Sequence, residues 1–335
     1  MKIFQRRSLR SDGFASRIRG LVFTFFLAVS FPFAAQAQTL LFSSGFEPNT
    51  TLRPVAQIDC FSTGCWQYID GSDLSTTSTW PPNIWGGSPT AIQLLADHAV
   101  DATTVRDYAF NQILNVTGHA GSSTRVLYSQ LAQSGCCGGG SQEAVAGATQ
   151  NAFQIQPVGE TSDLYISYWL KFQPDLDKQL NPPNPNWRYL FSWKTGSPGG
   201  VNDGDYRVVV EVATWCLGGV PFCWETRGDN NAGGDPYVEY WRVQNTAVQV
   251  PVGQWFKFEV FWHRSTGNDG RYWAAVNGQV IVDRSGPNKI DKSINRIFVS
   301  NVYGSGPYPM YQWLDDLKVY DGFPLDCTDP PCAPH

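Results

Sequence analysis

Apolar and polar residues alternate along most of the second half of the chain. This period of two predicts β-strands, because successive strand side chains point to opposite faces of a sheet. The same stretches are rich in aromatic and β-branched residues, which are typical of sheets. The predicted strands are Asp163–Phe172, Trp187–Lys194, Tyr206–Val212, Tyr237–Val243, Trp255–Trp262, Tyr272–Val276, Gln279–Asp283, Ile294–Tyr303 and Trp313–Asp321. Between two of them, Asn277-Gly278 indicates a type I′ hairpin turn.

The pattern is weaker before residue 123, where loops with short strands are expected. An edge strand is predicted at Thr39–Glu47, a short helix at Ala91–Asp97 and a strand at Ser123–Ser129. Many strands with almost no helical periodicity favour antiparallel sheets packed face to face. No repeat of fixed period indicates a propeller or solenoid. We therefore expect one all-β antiparallel β-sandwich of the jelly-roll type over residues 38–335, loop-rich at 38–122 and regular at 123–322.

The first 37 residues have the pattern of a secretory signal peptide. A basic stretch precedes the apolar run Gly20–Phe33, and Ala35-Gln36-Ala37 is a small-x-small cleavage signal. Cleavage there would leave 298 of 335 residues and would remove six Lys/Arg and one Asp, giving a net charge of −10. Such an acidic protein lacks the electrostatic footprint of a nucleic-acid binder. We expect a secreted or periplasmic product without a membrane span, and a monomer, since nothing in the sequence indicates an oligomer.

Eight cysteines follow the predicted cleavage point, and an exported protein favours disulfides. Their spacing predicts local bridges Cys60–Cys65, Cys216–Cys223 and Cys327–Cys332, while adjacent Cys136 and Cys137 could disturb this pairing. Four histidines and no Cys-x-x-Cys pair argue against zinc.

Asp203 with Asp205, Asp229 with Asn231, and Asp315 with Asp316 could supply oxygen ligands for a structural calcium, but no spacing specifies a site. No cofactor is expected.

The predicted strand Ile294–Tyr303 offers a candidate site. By simple alternation Ile297, Val299, Asn301 and Tyr303 share one face, so two polar groups end an apolar row just before a loop rich in Gly, Pro and Tyr.

Four strand motifs resemble the concanavalin A-like lectin/glucanase superfamily, and within it the jelly-roll polysaccharide lyases. They lie at Tyr165–Phe172, Gly253–Glu259, Ala275–Gly278 and Trp313–Tyr320. The resemblance covers about half of the chain and implies the fold.

The segment Ile297–Gly304 is similar to the strand of alginate and glucuronate lyases that carries a catalytic tyrosine. The order of Lys194, Arg207 and the tyrosines after them is also similar to the glucuronate-lyase branch. The Arg-x-Glu-Leu-Arg and Gln-Ile-His motifs of alginate lyases are absent. The resemblance implies β-elimination of a uronate-containing polysaccharide, in which a cation neutralises the carboxylate and an acid and a base move protons. It implies Tyr303, Arg207 and Lys194 as catalytic residues. The expected substrate-binding residues are Asn301, Tyr237, Tyr240, Glu211 and His263. One of the two tyrosines could also take part in the reaction, and His263 could act as a spare base.

Other readings of these residues stay open. Arg207 and Glu211 lie four apart on one strand face and could simply offset each other's charge. Tyr303 could be a packed strand tyrosine, and His263 could end a strand at the rim. A retaining glucanase is disfavoured because no Glu-x-Asp-x-x-Glu motif occurs. The alternative function is a non-catalytic, lectin-like carbohydrate-binding module whose aromatic residues stack on sugar rings.

Overall fold

The secondary structure consists mainly of antiparallel strands. The computed structural model describes residues 38–57, 60–61, 64–73, 78–80, 92–97, 103, 108–132, 150–155, 163–180, 186–195, 206–230, 237–287, 294–305 and 309–324. The strands are β1 (Leu40–Ser44), β2 (Thr50–Leu52), β3 (Cys60–Phe61), β4 (Gly64–Gln67), β5 (Ile69–Asp73), β6 (Ser78–Trp80), β7 (Ile92–Asp97), β8 (Ala109–Thr117), β9 (Ser123–Leu131), β10 (Gln150–Ile155), β11 (Asp163–Phe172), β12 (Trp187–Thr195), β13 (Arg207–Ala213), β14 (Cys223–Asp229), β15 (Glu239–Asn245), β16 (Trp255–His263), β17 (Arg271–Val276), β18 (Gln279–Ser285), β19 (Ile294–Gly304) and β20 (Met310–Tyr320). The helix α1 spans Leu176–Leu180.

Two large sheets form the architecture. The eight-stranded sheet has the order β18-β17-β16-β11-β20-β9-β8, with β1 also paired to β20. The nine-stranded sheet has the order β15-β14-β13-β12-β19-β10-β7-β4-β3, and β2, β5 and β6 form a smaller sheet. Consecutive β19 and β20 lie in different large sheets, so the chain crosses the sandwich between them.

The core lies between the inner faces of the two large sheets. Trp193 of the nine-stranded sheet contacts Trp262 of the eight-stranded sheet with ring centroids 5.4 Å apart, and Phe191 lies 5.9 Å from Phe258. Burying an apolar side chain of this size contributes roughly 1.5–3 kcal/mol. The predicted antiparallel β-sandwich is confirmed.

Several local predictions are confirmed as well. The strand β11 has the predicted bounds, and β16 extends its prediction by one residue. Asn277 and Gly278 have φ of 48° and 74°, as the predicted type I′ turn requires. The bridges Cys60–Cys65 and Cys216–Cys223 are formed. The signal peptide and the other four cysteines lie outside the described residues. Within the described ranges, no helix has the length and apolar character to span a membrane.

One prediction of secondary structure is wrong, and one strand was missed. The predicted helix at Ala91–Asp97 is the strand β7, which pairs with β10 on one side and β4 on the other. Backbone pairing on both edges outweighs the weak helical preference of a short segment. The strand β14 was not predicted, although Glu225, Arg227 and Asp229 alternate there with Trp224 and Thr226.

The alternation in β19 is interrupted at Ser300. This residue has a φ of 51°, and the pairing with β10 slips there, so that Ala152 lies opposite Asn301 but Phe153 lies opposite Val299. Ile297 and Val299 therefore face the core, whereas Tyr303 packs on the opposite face. The prediction that these residues share one face is wrong, because a bulge reverses the alternation.

Candidate functional site

Polar side chains gather on the outer face of the nine-stranded sheet, the face turned away from the core. Directly opposed residues on neighbouring strands point to the same side, so the pairing register gives two rows across this face. One row contains Tyr303, Tyr189, Glu211, Glu225 and Gln244. A second row contains Lys194, Arg207, Asp229 and Glu239.

Arg207 is held by a buried carboxylate. Its Nε and Nη2 donate to the two oxygens of Asp229 at 3.0 and 2.7 Å, and the Asp229 side chain is fully buried. This two-point contact fixes the plane of the guanidinium. Within the described part of the chain, no hydrogen bond occupies Arg207 Nη1. Lys194 lies directly opposite, with Nζ 5.1 Å from the Phe298 ring centroid.

Arg227 lies at the centre of the cluster. Its Nη1 contacts Glu211 and lies 3.2 Å from Glu225, its Nε lies 3.4 Å from Asp229, and its Nη2 donates to the Tyr189 hydroxyl at 2.7 Å. All three carboxylates are almost completely buried. One guanidinium thus links three acidic side chains to a tyrosine.

The protonation of Glu211 sets the net charge of this cluster. Burial raises the pKa of Glu211 to about 8, although the Arg227 guanidinium acts in the opposite direction. The described cluster has four cations (Lys194, Arg207, Arg227 and Arg242) and four carboxylates (Glu211, Glu225, Asp229 and Glu239). Their formal charges balance, so protonation of Glu211 near neutral pH leaves one positive charge in excess.

Tyr303 lies in an aromatic cluster beside the arginines. Its ring centroid is 4.7 Å from Trp187 and 5.0 Å from Tyr189. The guanidinium of Arg207 lies 5.9 Å from the Tyr189 ring centroid, so Tyr189 joins Tyr303 to the charged cluster. Burial raises the pKa of the Tyr189 hydroxyl, while Arg207 and Arg227 act to lower it.

Asn301 lies on the same face and is almost fully buried. Its Nδ2 donates to Gln150 Oε1 at 3.2 Å, but its Oδ1 accepts no hydrogen bond from the described residues. Glu211 Oε2 is likewise buried and has no hydrogen-bond partner in the described part of the chain. Buried polar atoms are normally hydrogen-bonded, and exceptions are explained by strain, a catalytic role, or a bound water or ion.

Of the remaining predicted site residues, one lies on this face and two lie elsewhere. Tyr237 lies at the edge of this face, with its hydroxyl 3.4 Å from both Asp229 and Glu239. Tyr240 instead packs against Tyr206 on the core side.

His263 lies on the eight-stranded sheet, where Nδ1 is 2.8 Å from Asp163 Oδ1 and Nε2 is 3.5 Å from Asp269. The structure therefore does not bring Tyr240 or His263 to the predicted site.

Three central residues were missed from the sequence. Arg227 and Glu225 lie on the unpredicted strand β14, and Tyr189 was assigned only to a strand. Every second residue from Glu225 to Asp229 is charged, and this alternation would have indicated a strand with a charged outer face. The partners of each charge depend on strand order, which the sequence does not give.

Only part of the predicted calcium ligand sets can be located. Asp203, Asp205 and Asn231 lie outside the described residues, and Asp229 is paired with Arg207. Asp315, Asp316 and His119 bring candidate ligand atoms within 4.8 Å of one another, but His119 Nε2 already contacts Asp316 at 2.7 Å. Burial, with Asp316 nearby, raises the pKa of Asp315 to about 8.

The chain has distant likenesses among solved structures. No family model matches it, and no curated protein matches its sequence. An endo-β-1,4-glucuronan lyase from the fungus Trichoderma reesei matches 68% of this chain and 94% of its own, at 13% identity and a TM-score of 0.46. An alginate lyase from Chlorella virus matches 62% of this chain and 88% of its own, at 11% identity and a TM-score of 0.41.

A botulinum neurotoxin serotype D binding domain also matches, over 68% of this chain and 45% of its own, at 12% identity and a TM-score of 0.34. The expected likeness to jelly-roll lyases is thus found among solved structures. At identities and scores this low, it supports no conclusion about chemistry.

Proposed function

We propose that this protein is a polysaccharide lyase that cleaves a uronate-containing chain by β-elimination on the outer face of the nine-stranded sheet. The observation that carries the proposal is that Arg207, Lys194 and Tyr303 lie on one face of the sheet, where the Tyr189 ring lies near both Arg207 and Tyr303. Arg207 Nη1 and the Lys194 ammonium would bind the uronate carboxylate, since a planar guanidinium suits a carboxylate.

In the proposed reaction, the C5 proton passes to a base and the C4–O4 bond breaks as the C4–C5 double bond forms. A proton must then reach the departing O4. Tyr303 would take the C5 proton on its phenol oxygen as the base and pass it to O4 as the acid, because its ring lies at the partly exposed end of the aromatic cluster. Negative charge develops at C5 when its proton leaves. Neutralising the carboxylate stabilises this charge.

The test is the absorbance of the unsaturated uronate product from polyglucuronate, polymannuronate and polyguluronate. Tyr303→Phe should lower kcat by at least about 100-fold, the usual range for a lost acid–base group. Tyr320→Phe is the matched control, because Tyr320 is a partly buried strand tyrosine packed on Tyr165 in the other sheet. The proposal fails if no polyuronate gives product, or if Tyr303→Phe is as active as the parent.

The role of Arg207 is tested in the same assay. Arg207→Lys keeps the charge and loses the planar fork, so kcat/KM should fall. The control Arg271→Lys changes an arginine that makes the same two-point contact, with Asp283 at 2.9 and 3.0 Å, on the other sheet. Equal activities of the two variants would contradict the assignment.

A carbohydrate-binding protein without catalysis is the second candidate. It is favoured by the pairing of each described arginine in the cluster with a carboxylate, which leaves little net charge for an anionic substrate. Binding of a neutral polysaccharide without product, unchanged in Tyr303→Phe, would support it.

A further inference from the structure

A row of outward side chains crosses five strands of the eight-stranded sheet, on the side of the molecule away from the proposed active face. Trp255, Lys171, Trp313, Tyr128 and Gln112 are each directly opposite the next on β16, β11, β20, β9 and β8. With neighbouring strands ~4.8 Å apart, this aromatic strip is about 19 Å long. Each of its side chains is at least partly exposed.

The strip combines rings with polar groups. Lys171 Nζ lies 5.3 Å from the Trp313 ring centroid, and the Tyr128 ring lies 5.6 Å from Trp313. The Tyr128 hydroxyl donates to Gln130 Oε1 at 2.5 Å, and the Gln112 amide is exposed. Sugar rings stack their C–H faces on aromatic side chains and bond their hydroxyls to amides, so this mixture fits a glycan better than an apolar protein surface.

The charge of the strip indicates the class of glycan. Lys171 lies between Trp255 and Trp313 in the row, and none of the five residues carries a carboxylate. We infer that the aromatic strip is a second binding surface, which takes an acidic polysaccharide chain with a uronate carboxylate on Lys171. This surface lies on a different sheet from Arg207 and Tyr303, so the inference does not depend on catalysis there.

The inference is tested by affinity electrophoresis in gels that contain polyglucuronate or, for comparison, neutral dextran. The variants are made in a Tyr303→Phe background, so that the polymer is not consumed. Trp313→Ala should lower the affinity for polyglucuronate at least about fivefold, from the loss of stacking. Lys171→Ala should also lower it and should weaken its salt dependence. Lys318→Ala is the control, because Lys318 lies on the same face of β20 outside the row.

Three results would overturn the inference. Trp313→Ala and Lys171→Ala could bind as the background protein does. Dextran could be retained as strongly as polyglucuronate, which would contradict the acidic class. A dimer in sedimentation velocity that Trp313→Ala dissociates would assign the strip to a second copy of the chain.

The Lys171 side chain is partly exposed, so Lys171→Ala should fold normally. This variant still tests the inference if Trp313→Ala misfolds. A wild type inactive on every polyuronate would end the lyase proposal and leave this comparison intact.

Discussion

Replacing Arg227 with methionine would remove the cation shared by three buried carboxylates while keeping much of the side-chain volume. Arg227 is 12% exposed, and its partners Glu211, Glu225 and Asp229 are 1%, 0% and 0% exposed. The Tyr189 hydroxyl would lose its donor as well. Among the described residues, Arg207 still binds Asp229, and Glu225 keeps Arg242 at 3.6 Å with hydrogen bonds from Trp215 and Gln244. The clearest loss therefore falls on Glu211.

The expected loss of unfolding free energy follows from the burial of these ion pairs. At an effective dielectric constant of about 20, a charge pair 4 Å apart contributes about 4 kcal/mol. The desolvation penalty of Arg227 disappears with the side chain, which offsets part of this. Breaking a buried pair by removing one partner costs about 3–5 kcal/mol, because an uncompensated charge stays buried. We expect Arg227→Met to lower the free energy of unfolding by this amount near pH 9, where Glu211 is ionised in the parent protein.

The loss should grow as the pH rises. Carboxyl groups that lose their cation can avoid the penalty by binding protons at low pH, and they cannot do so at high pH. Burial already raises the pKa of Glu211 to about 8, so in the parent protein this carboxyl is ionised mainly above pH 8. The part of the stability loss that is due to Glu211 should therefore appear mainly above pH 8. The difference between variant and parent is therefore smallest near pH 5 and largest near pH 9.

The measurement is urea unfolding followed by tryptophan fluorescence at several pH values, with Arg271→Met as the matched control. Arg271 and Asp283 form an equally well-aligned pair, but their side chains are 30% and 45% exposed. Exposed pairs contribute about 0–1 kcal/mol. Equal losses for the two variants, or a loss for Arg227→Met that does not change with pH, would refute the reasoning.

Two further predictions concern stability. Because the pKa of Glu211 is higher in the folded state than in the unfolded chain, its carboxyl destabilises the fold as pH rises from about 4.5 to about 8, and Glu211→Gln should flatten this part of the Tm–pH profile. Gly71→Ala should be strongly destabilising in urea unfolding, because φ is +95° and a Cβ would lie 1.8 Å from the Asn49 carbonyl oxygen. Gly121→Ala, at φ +80° with open space, should cost only about 1 kcal/mol, and a similar cost at both positions would contradict the steric argument.

Much of the sandwich could be predicted from the chain alone. Alternation and aromatic content identify β11 and β16, and Asn277-Gly278 identifies its turn, because each signal depends on residues adjacent in sequence. The same local reasoning placed Arg207 and Lys194 on two different predicted strands. It could not show that the two lie directly opposite one another.

The candidate site depends on interactions that no local pattern contains. The bulge at Ser300 turns Tyr303 away from the core, and strand order places Arg227 between Glu211 and Tyr189. His263 follows the same alternation rule as the others but belongs to the other sheet. The sequence by itself determined which segments are strands, since that follows from a period of two. The tertiary structure alone decided which charges meet, because burial and pairing depend on register between strands far apart in the chain.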